Sequence, residues 1–447
     1  MGRWTVGFWS GTALILSVGI LLSWAWGTRA EEPAAPAQER NEESARLREE
    51  VRAILRELQL TAVEETPEEK RLRTIYDDGF YLVGPDDTLK IGGWAQSDTR
   101  WLEDNHPAAS EFFTRRARLD VRGTLEKDFA YRFYTAFEGA SARLQEGWIE
   151  YRRAPLARVR IGQFKEPFSL EAAGSSRWTA AVERALGPTN LSPQEDLGAQ
   201  VHGALGDRRA EYAVGFFNGR GKNVSDTNDE KDAAARLTLL PFRNGPSWLA
   251  GLQVGASATE GRADDSLAGT EYRTAPRTAF VTFASGVTQA GSTSRRGVEA
   301  EWLAGPFGLA VEHLSVQREG VERAPYEEDV RSDAWYVTGT WLLTGESQPR
   351  NKTVRPARPL GEDGGWGAWG VHARIEEFDT QDRLFERGMA TGTPHVSSWT
   401  AGVSWWPNRH IRVLGDLFHD NFDGLVTVSG RSIGDETGVL LRFQFDF

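Results

Sequence analysis

The last eleven residues, "TGVLLRFQFDF" at 437–447, place apolar side chains at every second position. Val439, Leu441, Phe443, Phe445 and Phe447 form one series; Leu440, Arg442, Gln444 and Asp446 form the other. Chain ends are normally polar and frayed. A period-2 run of aromatics at this position reads as a strand that a neighbour must hold, with one face in an apolar medium.

The same period recurs upstream. In "RRARLDVRGTL" (115–125), Ala117, Leu119, Val121 and Leu125 oppose Arg116, Arg118, Asp120 and Arg122. In "LARVRIGQF" (156–164), Arg158 and Arg160 oppose Val159 and Ile161. In "WGAWGVHARIEEF" (366–378), Trp369, Val371, Ala373 and Ile375 oppose His372, Arg374 and Glu376, and "WTAGVSWWPN" and "IRVLGDLF" repeat the pattern. Strands are expected near 87–101, 112–125, 129–138, 145–153, 156–164, 197–205, 210–217, 233–240, 248–258, 279–285, 294–303, 306–318, 331–343, 366–378, 395–406, 409–419 and 436–447. That is seventeen segments, with 279–285 the least regular, and closed bacterial barrels use even strand numbers. The expectation is an all-β fold, a sixteen-stranded antiparallel transmembrane β-barrel over 76–447.

A soluble β-sandwich would also alternate, but its polar face has no reason to concentrate arginine. Here the polar series carries guanidinium groups on neighbouring segments, while Trp335, Trp341, Trp399, Trp405 and Trp406 gather near strand ends. Aromatic girdles at two membrane interfaces have this distribution. If the last strand pairs with the first, Phe447 sits at the periplasmic rim on the lipid-facing series.

Composition agrees. The 447 residues include 17 Trp, 22 Phe, 9 Tyr and 47 Gly, with 40% apolar and 26% charged residues. Beyond the N-terminus no stretch approaches the ~20 uninterrupted apolar residues of a spanning helix. Without cysteine there is no disulfide framework and no thiolate metal site. A sequence pI of about 5.3 speaks against a nucleic-acid partner.

Residues 1–30 have the form of a secretory signal: Arg3, an apolar core, then Thr28 and Ala30 as small residues before a cleavage point. An uncleaved anchor is the alternative. Residues 31–75 begin with the Pro/Ala/Glu linker "EEPAAPAQER". Leu47, Val51, Ile54 and Leu58 then repeat at spacings of 4, 3 and 4, which is either a short N-terminal coiled coil or one amphipathic helix.

Specific motifs appear at 156–220. "VRIGQFKEPFSLEAAGSSRWTAAVERAL", "DLGAQVHG" and "YAVGFFNGRG", with "LKIGGWAQ", "FFTRRARLDVRGTLEKDFAYRFY", "TWLLTGE", "AGVSWWPNRHIRV" and the terminal "LLRFQFDF", resemble the phosphate-selective porins, relatives of porins O and P. The likeness covers residues 85–447. It implies a sixteen-stranded outer-membrane barrel, usually a homotrimer in lipid, with residues about 165–195 folded into the lumen as a constriction and both termini periplasmic. It implies no cofactor.

Position by position, Arg115 and Arg116 resemble the family's paired constriction arginines, Arg184 its loop arginine, Ser175 and Ser176 its anion-contacting hydroxyls, and Lys90 a basic residue of the first strand. Lys165, Arg118 and Arg122 add basic charge on the polar series. Arg273, Arg277, Arg295 and Arg296 offer more along a later stretch. A bore walled by low dielectric focuses the field of such groups, and arginine forks suit phosphate and similar anions. The alternative for each arginine is a partner carboxylate such as Asp120, Glu146 or Glu150. The sequence also departs from phosphate-selective members, with Trp94, Ala130 and Ala172 where those carry basic residues. The function expected is an arginine-lined porin for small anions such as phosphate or polyphosphate. The alternatives are a weakly selective general porin, or a barrel that tethers the envelope and conducts little.

Other constellations are bland. "VSDTNDEKD" (224–232) alternates Asp226, Asn228, Glu230 and Asp232 but lacks the sixth-position glycine of a calcium loop. Seven histidines occur with no G-x-S-x-G motif, so no hydrolytic centre is indicated.

Overall fold

A computed structural model describes residues 72–447, apart from 105, 227, 228 and 362, together with Arg46, Glu49, Glu50 and Ala53, which are helical. The segment expected as a signal, the linker and the heptad positions Leu47, Val51, Ile54 and Leu58 lie outside the described residues.

After Leu72 comes a short hairpin, β1 (Arg73–Tyr76) and β2 (Phe80–Val83). The barrel strands follow in chain order: β3 (Thr88–Leu102), β4 (Glu111–Leu125), β5 (Phe129–Ala136), β6 (Arg143–Tyr151), β7 (Arg158–Lys165), β8 (Glu195–Leu205), β9 (Ala210–Phe217), β10 (Asp232–Leu239) and β11 (Gln253–Ser266). Two strands then leave the wall, β12 (Glu271–Arg273) and β13 (Ala279–Phe283). The wall resumes with β14 (Thr288–Ala304), β15 (Phe307–Arg323), β16 (Tyr326–Leu342) and β17 (Ala368–Thr380). After β18 (Ala390–Gly392) it ends with β19 (His395–Trp406), β20 (Ile411–Val428) and β21 (Arg431–Asp446).

Every wall strand pairs antiparallel with its neighbours, and β21 pairs with β3, Asp446 opposite Trp94 and Val439 opposite Trp101. The sheet closes as sixteen strands with no free edge, the arrangement that satisfies every backbone group in lipid. The surplus segment is the one at 279–285: β13 pairs with β12 and β18 in a separate three-stranded sheet. Phe447 is held, exchanging backbone hydrogen bonds with Gly93 at 2.9 and 3.0 Å. A Cβ on Gly93 would stand 2.7 Å from the Phe447 ring, so the strand needs glycine there.

Alternation points as the sequence indicates. Val439, Phe443 and Phe445 are exposed on the outer surface, and Leu440, Arg442 and Gln444 are buried inside. On the outside, Phe307 stacks on Trp341 at 5.8 Å and Trp369 on Trp405 at 5.5 Å, a girdle at the end that carries the C-terminus. Trp406 departs from that expectation. One residue on from Trp405, it faces inward and packs with Leu342, Val354 and Ala368, because adjacent strand residues take opposite faces. Arg296 is exposed on the same outward series as Val298, so it adds nothing to the bore.

The lumen is not uniformly polar. At the end away from the C-terminus, inward Leu314, Val316, Val330, Phe378, Val396 and Phe422 pack against Phe280, Val281 and Phe283 of β13 and against Leu384 and Met389. Leu384 belongs to a helical turn, α3 (Arg383–Glu386), and Met389 follows it. Two connections, 267–287 and 381–394, thus fill one side of this mouth as an apolar plug.

Candidate functional site

The connection between β7 and β8, residues 166–194, folds inward. It turns at Ser169, whose φ of 64° is uncommon for a residue with a Cβ. Its hydroxyl accepts a hydrogen bond from Ala172 N at 3.1 Å and so caps a short helix, α1 (Leu170–Ala173). A second, α2 (Leu186–Asn190), closes the loop against the wall.

Charged wall residues fasten this backbone. Arg412 donates to Thr179 O at 2.8 Å and Ala180 O at 3.1 Å, Arg374 to Glu183 O at 3.1 Å, and Arg442 to Val182 O. Conversely, Asp416 accepts from Val182 N at 2.7 Å, Glu376 from Leu186 N at 2.5 Å and Glu312 from Leu170 N at 2.7 Å. A non-regular segment inside a low-dielectric tube needs partners for its peptide groups, and these six side chains supply them. Buried arginines on β17, β20 and β21 are therefore loop anchors first.

The expected site residues divide by their partners. Arg115 and Arg116 both point inward, although consecutive in a strand. Gln96 of β3 pairs with Arg116 and the next residue, Ser97, pairs with Thr114. Arg115 is thus the extra residue of a β-bulge, and the bulge re-aims it. Arg115 donates to Glu183 at 2.7 and 3.0 Å; Arg116 donates to Gln96 at 2.9 Å and reaches Glu183 at 3.4 Å. Burial alone would raise the Glu183 carboxyl, but the Arg116, Arg115 and Arg442 guanidiniums hold it well below the usual carboxylate range.

Arg118 pairs with Glu138 at 2.5 Å. Arg122, partly exposed, stands 3.8 Å from Asp120, which is bound more closely by Arg132 at 2.8 Å. Arg184 donates to Gly174 O at 2.8 Å, and Lys165 to Ala172 O at 2.7 Å and Gly174 O at 2.5 Å. Both hold the loop's own carbonyls. Ser175 Oγ accepts from Arg177 at 3.4 Å, and the Ser176 carbonyl accepts from Gln96 at 3.2 Å. Lys90 stands over the Tyr81 ring at 4.8 Å near the hairpin and lines the 780 Å³ cavity rather than the Arg115–Arg116 side of the bore. Of the three departures, Trp94 is buried and donates to Tyr134 Oη at 2.8 Å, and Ala172 is buried in α1.

Three cavities, of about 960, 780 and 560 Å³, occupy the lumen, and all three are lined by Arg177, Trp178 and Asn351. The Arg177 guanidinium stands over two rings, 4.7 Å from that of Trp178 and 5.8 Å from that of Trp94, and forms no ion pair with a carboxylate among the described residues. It is the basic group common to all three cavities, and no carboxylate pairs with it within 4 Å among the described residues, although Asp446 and Asp120 stand within its field. Its neighbours Ser175 and Ser176 are expected site residues and Arg177 is not among them; its signal in the sequence is its place in the same "GSSRW" motif. Asn351 comes from 343–367, a long connection at the end that carries the C-terminus. There Val354 is buried against Trp406, and Lys352 and Thr353 line two of the cavities. Nothing in the alternation foretold that this connection enters the bore.

Residues 90–447 match the family described as phosphate-selective porin O and P. Porin O of Pseudomonas aeruginosa is 24% identical over 403 residues, covering 80% of this chain and 88% of that protein. Among solved structures, an anion-selective porin from Comamonas acidovorans superposes with a TM-score of 0.53 at 11% identity, over 81% of this chain and all of its own. The channel DcaP of Acinetobacter baumannii gives 0.52 at 12%, over 81% and 97%. OmpT of Vibrio cholerae gives 0.53 at 14%, over 82% and 99%. With a sealed barrel, an outer aromatic girdle and a loop anchored across the bore, the chain belongs to the phosphate-selective porin O and P family of outer-membrane porins.

Proposed function

We propose that the protein passes small anionic solutes with a weak preference over cations, and that Arg177 is the residue at which the preference is set. The observation that carries this reading is the Arg177 guanidinium, without a direct ion pair among the described residues, where the three cavities converge, backed by aromatic rings that keep it in place. A pore filter must attract an ion without trapping it. One guanidinium without a direct carboxylate partner, lining the cavities, meets that condition, whereas Arg132 between Asp120 and Glu146, or Arg160 on Glu150, is largely neutralised. The many paired arginines, together with Trp94 and Ala172, favour weak selection over a tight phosphate site. Phosphate and polyphosphate are therefore members of a broader class of permeant anions.

In this reading the barrel is a channel without catalysis or cofactor, embedded in outer-membrane lipid as a homotrimer, with both chain termini periplasmic. The named likeness to an anion-selective porin supports the sign of the preference. The test is planar-bilayer recording of refolded protein. Stable conductance steps and a chloride-favouring zero-current potential in a KCl gradient are expected, and Arg177→Ala should bring that potential close to zero. Absence of steps would favour the tethering alternative. A cation preference in the native protein, or an unchanged potential in the variant, would refute the reading.

A further inference from the structure

Glu183 occupies an unusual position for a carboxylate. It stands on the inward loop between Val182, pinned by Asp416, and Arg184, and its two oxygens receive three guanidiniums. Arg115 donates at 2.7 Å to Oε1 and 3.0 Å to Oε2, Arg116 approaches Oε2 at 3.4 Å, and Arg442 donates to Oε1 at 2.6 Å. Arg442 has a carboxylate of its own, since Asp98 receives it at 2.8 and 2.7 Å. Arg115 and Arg116 have none besides Glu183 among the described residues. Two cations therefore share one anion, in a wall where the Arg116 and Arg442 side chains are only 9% and 2% exposed. Glu183, Arg115 and Arg116 all line the 560 Å³ cavity, together with Ser175 and Ser176.

Fork-shaped donors arranged about two oxygens fit a carboxylate and a tetrahedral oxyanion alike. Buried guanidiniums deprived of their counter-charge recruit another, because an uncompensated buried charge is strongly disfavoured. A carboxylate on the same chain has an effective concentration that a dilute solute does not match. We propose that Glu183 is a tethered anion filling an oxyanion cradle formed by Arg115, Arg116 and Arg442, and that removal of its charge opens this cradle to inorganic phosphate. The inference rests on the pore reading and deepens it: Glu183 mutes the arginine pair, leaving the native preference to Arg177.

The experiment compares full-length native protein with Glu183→Gln and Glu183→Asp, using inorganic phosphate as the probe. In bilayers, Glu183→Gln should raise the chloride-to-potassium permeability ratio. It should also lower the phosphate concentration that halves the chloride current by about tenfold, which is about 1.4 kcal/mol. Glu183→Asp, which keeps the charge on a shorter arm, should fall between Glu183→Gln and native. The double variant Arg115→Ala with Glu183→Gln should lose the added block. Thermal denaturation gives a readout independent of conductance, in which phosphate should raise the Tm of Glu183→Gln more than that of the native barrel. If Glu183→Gln does not fold, the Glu183→Asp block carries the test. Native-like block together with native-like phosphate response of Tm would overturn the cradle. A non-conducting native protein whose Glu183→Gln form still gains Tm with phosphate would overturn the pore reading alone.

Discussion

Two inner faces of the same barrel differ in kind. On β4 to β7 the inward residues include Arg116, Arg118, Asp120, Arg132, Glu146, Glu150 and Arg160, all seven engaged in ion pairs. On β15 to β20, at the end away from the C-terminus, they are Leu314, Val316, Val330, Phe378, Val396 and Phe422, buried under β13 and α3. The outer faces of both regions are apolar. Lipid dictates the outer series everywhere, whereas the inner series follows whatever fills the tube beside it, water on one side and folded loops on the other.

Three substitutions would sharpen or break this contrast. The largest effect is expected from Phe280→Ala, which empties a fully buried site where the ring meets Phe378 at 5.0 Å. Deleting a core aromatic costs about 3–5 kcal/mol. The plug should loosen, seen as faster proteolysis within 267–287 and noisier, larger conductance, with the barrel still closed. Next comes Asp416→Ala, which strips the acceptor from Val182 N. A buried peptide group left unpaired costs about 1–3 kcal/mol, and the inward loop should show faster amide exchange around residue 182 while the plug does not. The smallest is Trp369→Ala on the outer girdle. Its stack on Trp405 contributes about 0.5–1.5 kcal/mol beyond area, so the unfolding midpoint in urea should fall modestly with conductance unchanged. If Phe280→Ala left proteolysis and conductance as they were, the apolar half would not be a plug.

Much of the wall was legible. Period-2 alternation located the sixteen strands because one face of each meets hydrocarbon, and only 279–285 was misplaced. That segment alternates for another reason, being a buried strand of the inner sheet. Several strands outrun their expected ends where the wall extends past the apolar band. In β20, which runs to Val428, and in β11, which runs to Ser266, the distal residues have lost the outward apolar series, so the pattern stops before the strand does. The site was legible in its residue types and much less in their pairing. Arg115, Arg116, Arg184, Lys165 and both serines do gather at the loop, yet Lys165 and Arg184 serve carbonyls, and Arg177 went unmarked.

From the sequence alone came the closed barrel, its outward face and the basic character of the loop region, since each rests on local periodicity or on motif composition. Tertiary structure alone decided which arginines remain free. A guanidinium is active or silent according to the carboxylate that the fold brings within about 3 Å. Glu183 lies far along the chain from Arg115 and Arg442, and a bulge in β4 is what turns two successive arginines toward it. Charge compensation is a property of distances across the tube, and those are set when the strands close and the loop folds in.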